Sequence, residues 1–323
     1  MTATTIPLVE ATRGDLIESV HYGSFVAVAA DGEVLFEGGE PGHPVYPRSS
    51  LKPLQSAAMV ELGLDLPDDL LALSAASHSG APEHLAGVER ILSIHRLDAS
   101  ALHNIPDVPY GSLERREWLA AGKGPTRRAQ CCSGKHAAML ATCVMNGWPV
   151  HSYLSFEHPL QVAIAEYLEE ATGEAAAASA VDGCGTPVFA YSLTGIARAY
   201  GRLASALWET PEGRVAHAIR THPHMLAGAG RDVTELMTAV PGLIAKDGAE
   251  SVQLVGLPDA SALAVKISDG GDRARMPITA AILQAVGVDA RALAPFRSSA
   301  VLGGGEPVGE LRASAEALAI LGL

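Results

Sequence analysis

The turn and strand signals at the two ends of the chain limit its fold more than any other feature. Near the N-terminus, Ser24-Phe25-Val26-Ala27-Val28 and Glu33-Val34-Leu35-Phe36 flank Asp31-Gly32. Asp-Gly between two apolar runs is a strong signal for a tight hairpin. Strand character returns at 242–245, 251–255 and 262–267, separated by Gly, Asp and Pro. A helix near 274–287 and a last one near 310–321 follow. Residues 7–19 read as a short apolar segment. Between these ends the pattern is helical, with helices expected at 67–75, 82–96, 112–121, 133–146, 157–172, 192–204, 211–221 and 232–239. Several starts carry their own signal: Ser112 ahead of Glu114 and Arg115, Ser133, and Thr210-Pro211-Glu212 with proline at the first helical position. The Ala-rich run 174–180 reads as a loose linker. Strands at both ends around a helical middle predict a single two-lobed domain, 1–323. Its sheet lobe spans about 1–66 and 241–323, its helical lobe about 67–240, with a cleft between them.

A length of 323 residues, with 48% hydrophobic and 18% charged, describes a globular chain able to bury a large core. The net charge of −13, with no basic run, argues against nucleic acid or an anionic membrane as partner. The first twenty residues lack a basic segment followed by an apolar one, so no signal peptide is expected. No apolar run reaches the roughly 18 residues that a membrane helix needs. Four cysteines, Cys131, Cys132, Cys143 and Cys184, do not make a disulfide framework in a chain this long, which suits a cytoplasmic protein with reduced thiols. Neither a Gly-x-Gly-x-x-Gly nor a Walker-type loop occurs, so no nucleotide cofactor is expected.

The chemistry concentrates in short segments. Ser49-Ser50-Leu51-Lys52 is the only Ser-x-x-Lys in a chain with five lysines. If Ser49 opens a helix, Lys52 lies one turn on, on the same face. A Ser hydroxyl needs an adjacent base to act as a nucleophile, and a Lys can be that base if burial or a second cation lowers its pKa. The plainer alternative is an N-cap serine and an unrelated lysine. Ser77-His78-Ser79-Gly80 ends an apolar segment, and Lys266 ends a strand. Ser79 and Lys266 would supply a proton relay and the second positive charge, and glycines beside Ser79 and Cys184 would let backbone N–H groups approach an oxyanion. Cys132 and Cys184 lie in Gly-flanked turns. They read as zinc ligands, with His136 as a third on the face of the helix that follows Cys132, as buried free thiols, or as one disulfide. Cys143 falls within an apolar helix and reads as core.

Together, Pro-Arg-Ser-x-x-Lys-Pro at 47–53, Ser-His-Ser-Gly at 77–80, Cys-Ser-Gly-Lys-His at 132–136 and Asp-Gly-Cys-Gly at 182–185 resemble the class 3, rhizobial-type L-asparaginases. The segment from Val255-Gly256-Leu257-Pro258-Asp259 to Ile267 resembles them too, so the likeness runs through nearly the whole chain. It implies an α+β fold like the serine β-lactamases and penicillin-binding proteins, with a mixed antiparallel sheet lobe and a helical lobe. It also implies hydrolysis of L-asparagine to L-aspartate and ammonia. By this resemblance Ser49 and Lys52 are the nucleophile pair, and Ser79 and Lys266 a second Ser–Lys pair. Cys132, Lys135 and Cys184 hold zinc, and Arg48, His136 and Asp182 contact the substrate. A homodimer is implied as well. The chain departs from the β-lactamases, having Ser-His-Ser-Gly for Ser-Asp-Asn and Lys266-Ile267-Ser268 for Lys-Thr-Gly, so β-lactam hydrolysis is not expected. The competing readings are another Ser–Lys amidohydrolase, such as a glutaminase, and a non-catalytic zinc-dependent binding module.

Overall fold

The computed structural model describes residues 3–323. The chain begins with four strands, β1 (Ile6–Arg13), β2 (Leu16–Val28), β3 (Val34–Gly38) and β4 (Pro44–Val45). Six helices follow: α1 (Lys52–Glu61), α2 (Asp68–Ser74), α3 (Pro82–Ile94), α4 (Ser112–Ala120), α5 (Ser133–Met145) and α6 (Pro159–Thr172). Next come β5 (Ala178–Val181), β6 (Pro187–Ser192), α7 (Leu193–Ser205), α8 (Pro211–Thr221), α9 (Pro223–Leu226) and α10 (Asp232–Ala239). The chain closes with β7 (Ile244–Gly248), β8 (Val252–Gly256), β9 (Ala262–Ile267), α11 (Arg275–Ala285), α12 (Ala290–Leu293), β10 (Ser298–Gly303), β11 (Glu306–Ala313) and α13 (Ala315–Leu321). It is an α+β protein that forms two compact units. One comprises residues up to Ser50, Tyr191–Ser205 and Leu236–Leu323; the other comprises Leu51–Ala190 and Ala206–Glu235.

The first unit is built on an antiparallel sheet of order β10-β11-β1-β2-β9-β8-β7, with β3 also paired to β2. The expected hairpin is present: β2 and β3 pair from Phe25↔Gly38 to Val28↔Val34, and Gly32 in their turn takes φ +84°, a value that favours glycine. Strands β7 and β8 are buried at every residue, and their polar members are partnered: Lys246 donates to Asp247 Oδ1 at 2.5 Å, and Gln253 Oε1 accepts from Arg275. Helix α7 packs on β2, β8 and β9, and its seat is shaped by glycine. A Cβ on Gly256 would lie 2.6 Å from Ala204 Cβ and 2.7 Å from Tyr200 O, and one on Gly201 would lie 2.2 Å from Ala260 O.

Two stretches differ from the sequence reading. Residues 306–313 are not the start of a terminal helix. They form β11, which pairs with β10 on one side and β1 on the other. Gly304 and Gly305, at φ +62° and +95°, turn the chain back between β10 and β11. Helix α13 begins only after Ser314, whose side chain accepts from Ala317 N–H. The second stretch is the Ala-rich run. Its last residues form β5, paired to β6 from Ala178↔Ala190 to Val181↔Pro187, because the hairpin ladder outweighs alanine's helical preference.

The second unit is helical around α1 and α2. Helix α1 is buried from Lys52 to Val60 and packs on α5, α6 and α8. Its core holds two stacked imidazoles, His78 and His84, with centroids 5.1 Å apart and no solvent exposure. Ser133 donates its hydroxyl to Arg128 O and therefore accepts from His78 Nε2 at 2.8 Å. His84 Nδ1 accepts from Ala81 N–H, so its Nε2 donates to His224 O at 2.8 Å. These partners assign a neutral tautomer to both rings. Burial pushes both pKa values below the ordinary histidine value, that of His78 far below it, and each ring neighbours a further basic group.

Two outcomes follow from this packing. Gly256→Ala lowers the stability of the folded protein by about 1–3 kcal/mol, because the added methyl meets α7 without room; a lower denaturant midpoint at unchanged slope checks it. The histidine pair makes stability fall in acid. Its folded pKa values lie below the unfolded value of about 6.5, so its contribution is complete above that pH and declines as the pH drops toward the folded values. Unfolding free energies measured from pH 7.5 to 5.5 decrease, and the decline is shallower in His84→Gln.

Candidate active site

In the helical unit, Lys52 is the first residue of α1, almost fully buried. Its Nζ donates to Ala76 O at 2.6 Å, Ser77 Oγ at 3.0 Å and Cys132 Sγ at 3.1 Å. Those partners are in place because the segment after α2 runs extended and is pinned on both sides. Ser77 N–H donates to Leu226 O, His78 N–H to Cys131 O, and Ser79 N–H to Ala227 O. Burial alone would lower the Lys52 pKa. The electrostatic pull of Cys132, with Cys131 and Cys184, outweighs burial and holds it above the ordinary lysine value.

Cys132 caps α5, its N–H donating to Gln130 Oε1 at 2.9 Å. One turn on, Lys135 donates to Thr186 Oγ1 at 2.8 Å and to Cys184 Sγ at 3.4 Å. Gly134 lets this turn come close to α2, since a Cβ there would lie 2.3 Å from Leu73 O. Cys184 sits at the tip of the β5–β6 hairpin. Asp182 N–H donates to Thr186 O, Gly185 N–H donates to Asp182 O, and Gly185 takes φ +95°. The Asp182 side chain accepts from Gly183 N–H at 2.8 Å, with its other oxygen 3.8 Å from Cys184 Sγ. All four cysteines are free thiols.

His136 follows Lys135 on α5. Tyr153 OH accepts from His103 N–H at 3.0 Å and lies 2.8 Å from His136 Nδ1. The imidazole Nε2 is buried, and Cys184 stands beside the ring. Burial lowers the His136 pKa, while Cys184 beside it pulls the other way. Two buried thiols and a buried amine within 3.4 Å of one of them form a donor set suited to a borderline-soft cation. Among the described residues no cluster of three His, Cys, Asp or Glu could hold a metal.

In the sheet unit, Arg48 to Leu51 form a single 3-10 turn, and Arg48 takes φ +55°, left-handed backbone without a glycine. Ser50 is buried and spends its hydroxyl on Pro47 O at 2.6 Å, while Tyr200 OH donates to Ser50 O at 3.3 Å. Ser49, by contrast, is half-buried. Gly248 backs the turn, because a Cβ there would lie 2.5 Å from Pro47 O. Lys266, at the end of β9, donates to Glu250 O and Ile267 O at 2.5 and 2.6 Å. Burial lowers its pKa and the Arg48 guanidinium adds to that, against Glu250 and Asp269.

The predicted residues thus gather as Lys52 with Cys132, Lys135 with Cys184, and Arg48 within electrostatic reach of Lys266. Sequence reasoning missed Ser77, Thr186, Tyr153 and the role of Glu114. Ser77 and Thr186 stand inside or next to the quoted motifs and were open to notice. Glu114, whose carboxylate accepts from Ser79 Oγ at 2.8 Å, was marked only as part of a helix start. Tyr153 carried no signal.

No curated protein sequence matches this one closely enough to count as a relative. Among solved structures, the chain is similar to Mglu at 13% identity, over 85% of this chain and 65% of that one, with a TM-score of 0.33. It is similar to a β-lactamase from Mycobacterium bovis at 15%, over 82% and 95%, with a TM-score of 0.38. It is similar to a Bacillus glutaminase at 14%, over 78% and 85%, with a TM-score of 0.35. The chain therefore spans slightly less than two thirds of the Mglu chain, and likenesses this low carry no weight for its activity. The profile of the L-asparaginase II family matches residues 9–313, nearly the whole length, and the chain belongs to that family.

Proposed function

We propose that the protein hydrolyses the side-chain amide of L-asparagine to L-aspartate and ammonia, with Ser49 as nucleophile and Lys52 as its base. The observation that carries this reading is membership of the L-asparaginase II family across residues 9–313. Between the two serines of the motif, Ser49 is favoured because Ser50 is buried and its hydroxyl is committed to Pro47 O, whereas Ser49 is half-buried. Ser49 Oγ attacks the amide carbon while its proton passes to the Lys52 amine; Lys52 hands that proton to the leaving nitrogen, and departure of ammonia leaves an aspartyl ester on Ser49. Water then cleaves the ester, supplying the new Ser49 proton and releasing aspartate. Ser79 and Lys266 act as the second Ser–Lys pair. The Arg48 guanidinium matches the substrate α-carboxylate, the Asp182 carboxylate its ammonium, and His136 completes the pocket.

Cys132, Lys135 and Cys184 would hold a zinc ion, with Lys135 as a neutral amine. Bound there, zinc would supply positive charge beside the two thiolates and an open position for a substrate oxygen. Lys52 serves as the base only where that positive charge offsets the thiolates that raise its pKa, since burial then favours the neutral amine, and the residues around the thiolates orient the substrate.

Ser49→Ala lowers kcat for ammonia release from asparagine on the order of 10⁴- to 10⁶-fold with aspartate binding retained, and Ser50→Ala stays within about tenfold of wild type because its hydroxyl serves only the turn. Residual activity of Ser49→Ala within tenfold of wild type rules Ser49 out as nucleophile, and ammonia release from glutamine run in parallel decides which amide is preferred. Removal of metal by a chelator raises KM more than it lowers kcat, the mark of lost binding common to ground and transition states. Zinc content by elemental analysis falls as the pH is lowered, since both thiols must be ionised and the lysine neutral to ligate; full substrate affinity in zinc-free protein refutes this assignment.

A further inference from the structure

The Ser79 hydroxyl has a partner outside the two Ser–Lys pairs. Ser79 is almost fully buried, and its backbone is clamped: its N–H donates to Ala227 O at 2.7 Å and its C=O accepts from Gly111 N–H at 2.8 Å. Its Oγ donates to Glu114 Oε1 at 2.8 Å. Two glycines make the contact possible. A Cβ on Gly111 would lie 2.1 Å from Glu114 Oε2 and 2.7 Å from Ser79 Cβ; one on Gly228, already at φ +133°, would lie 2.6 Å from Ser79 Oγ. Glu114 stands in the first turn of α4, where a negative charge is favoured by the helix N-terminus. It is half-buried and also lines an open cleft of about 490 Å³ with Gly80, Pro82, Leu85 and Trp118.

A hydroxyl has one hydrogen and two lone pairs, and an ionised carboxylate only accepts. The direction of the Ser79–Glu114 bond is therefore fixed, and Ser79 Oγ is left with lone pairs and nothing to donate. Building on the amidohydrolase reading above, we propose that Glu114 is a positioning residue for the reaction. Its carboxylate holds the Ser79 proton and thereby presents Ser79 Oγ as a hydrogen-bond acceptor, suited to an N–H of the substrate, ammonium or amide. No proton has to leave Ser79 for this role. Protonation of Glu114 would turn the carboxyl into a donor and free the Ser79 hydrogen to point elsewhere, which reverses the polarity of the contact. The charged residues that line the cleft with Glu114 are Glu117, Lys123 and the ion-paired Glu89 and Arg128. His84, whose pKa this carboxylate raises, is kept neutral by burial.

The test is a double-mutant cycle on ammonia release from L-asparagine, using Ser79→Ala, Glu114→Ala and the pair. Glu114→Ala lowers kcat/KM about 10²-fold, the size expected from a misplaced reacting group, and the double variant is no slower than Ser79→Ala alone. Glu114→Gln, which can still accept from Ser79 through its amide oxygen, stays within about tenfold of wild type. Glu114→Ala within twofold of wild type, or additive losses in the cycle, overturns the proposal. If wild-type protein releases no ammonia from asparagine, the activity reading has failed on its own. The cycle is then read by calorimetric binding of L-aspartate, where coupled losses uphold the role of Glu114, and additive losses or no binding overturn it.

Discussion

A lysine amine with almost no exposure to water has to be hydrogen-bonded, and the helical unit is arranged so that Lys52 is. An unpartnered ammonium in the interior would cost several kcal/mol. Lys52 Nζ instead finds a carbonyl, a hydroxyl and a thiol, from Ala76, Ser77 and Cys132. Those three groups come from two separate segments, so satisfying one amine fixes the end of α2 against the start of α5. The backbone bonds of Ser77, His78 and Ser79 to Leu226, Cys131 and Ala227 hold the same stretch from its sides. The positions of Cys132, of the Lys135 turn behind it and of the Ser79 hydroxyl all follow from where that extended segment lies.

The electrostatics of this region bind its components to one another. Burial favours a neutral Lys52, yet the electrostatic pull of the nearby thiols favours the ammonium and prevails. Any chemistry that uses Lys52 as a base is therefore tied to the charge state of Cys132 and Cys184. In the sheet unit the balance runs the other way. Lys266 is lowered by burial and by Arg48, with the nearby carboxylates opposing. Two lysines with the same side chain are thus driven in opposite directions by their surroundings, which no inspection of the sequence around them would reveal.

Much of the architecture was legible in the sequence, because periodic apolar patterns and turn residues report on burial directly. The Asp31-Gly32 hairpin, the strand at 262–267 and the helices opened by Ser133 and Thr210 lie where their signals put them. The misreadings have a common physical origin. In β11 only Leu311 and Ala313 are fully buried, and the apolar residues running on into α13 imitate a helical face. In the Ala-rich run, local preference pointed away from the strand that pairing with β6 imposes. The motif residues were legible as types. What was not legible was which side chain each would meet, since Glu114 and Tyr153 lie far in sequence from the groups they bond.

Arg48 illustrates how a single backbone angle can record selection. A left-handed conformation costs a residue with a Cβ about 1–2 kcal/mol relative to glycine, and the residue types that accept it most readily are Gly and Asn. A chain refined for robustness alone would carry one of those at the start of the 48–51 turn. That it carries arginine, with its neighbour Ser49 half-buried and Gly248 trimmed to make room behind, marks the turn as a place where folding efficiency has been yielded for a guanidinium. Stability-driven redesign of this protein would be drawn to its left-handed non-glycine positions, Arg48, Arg96, Glu250, Ser251 and Ala260, and at 48 would erase the guanidinium that acts on Lys266.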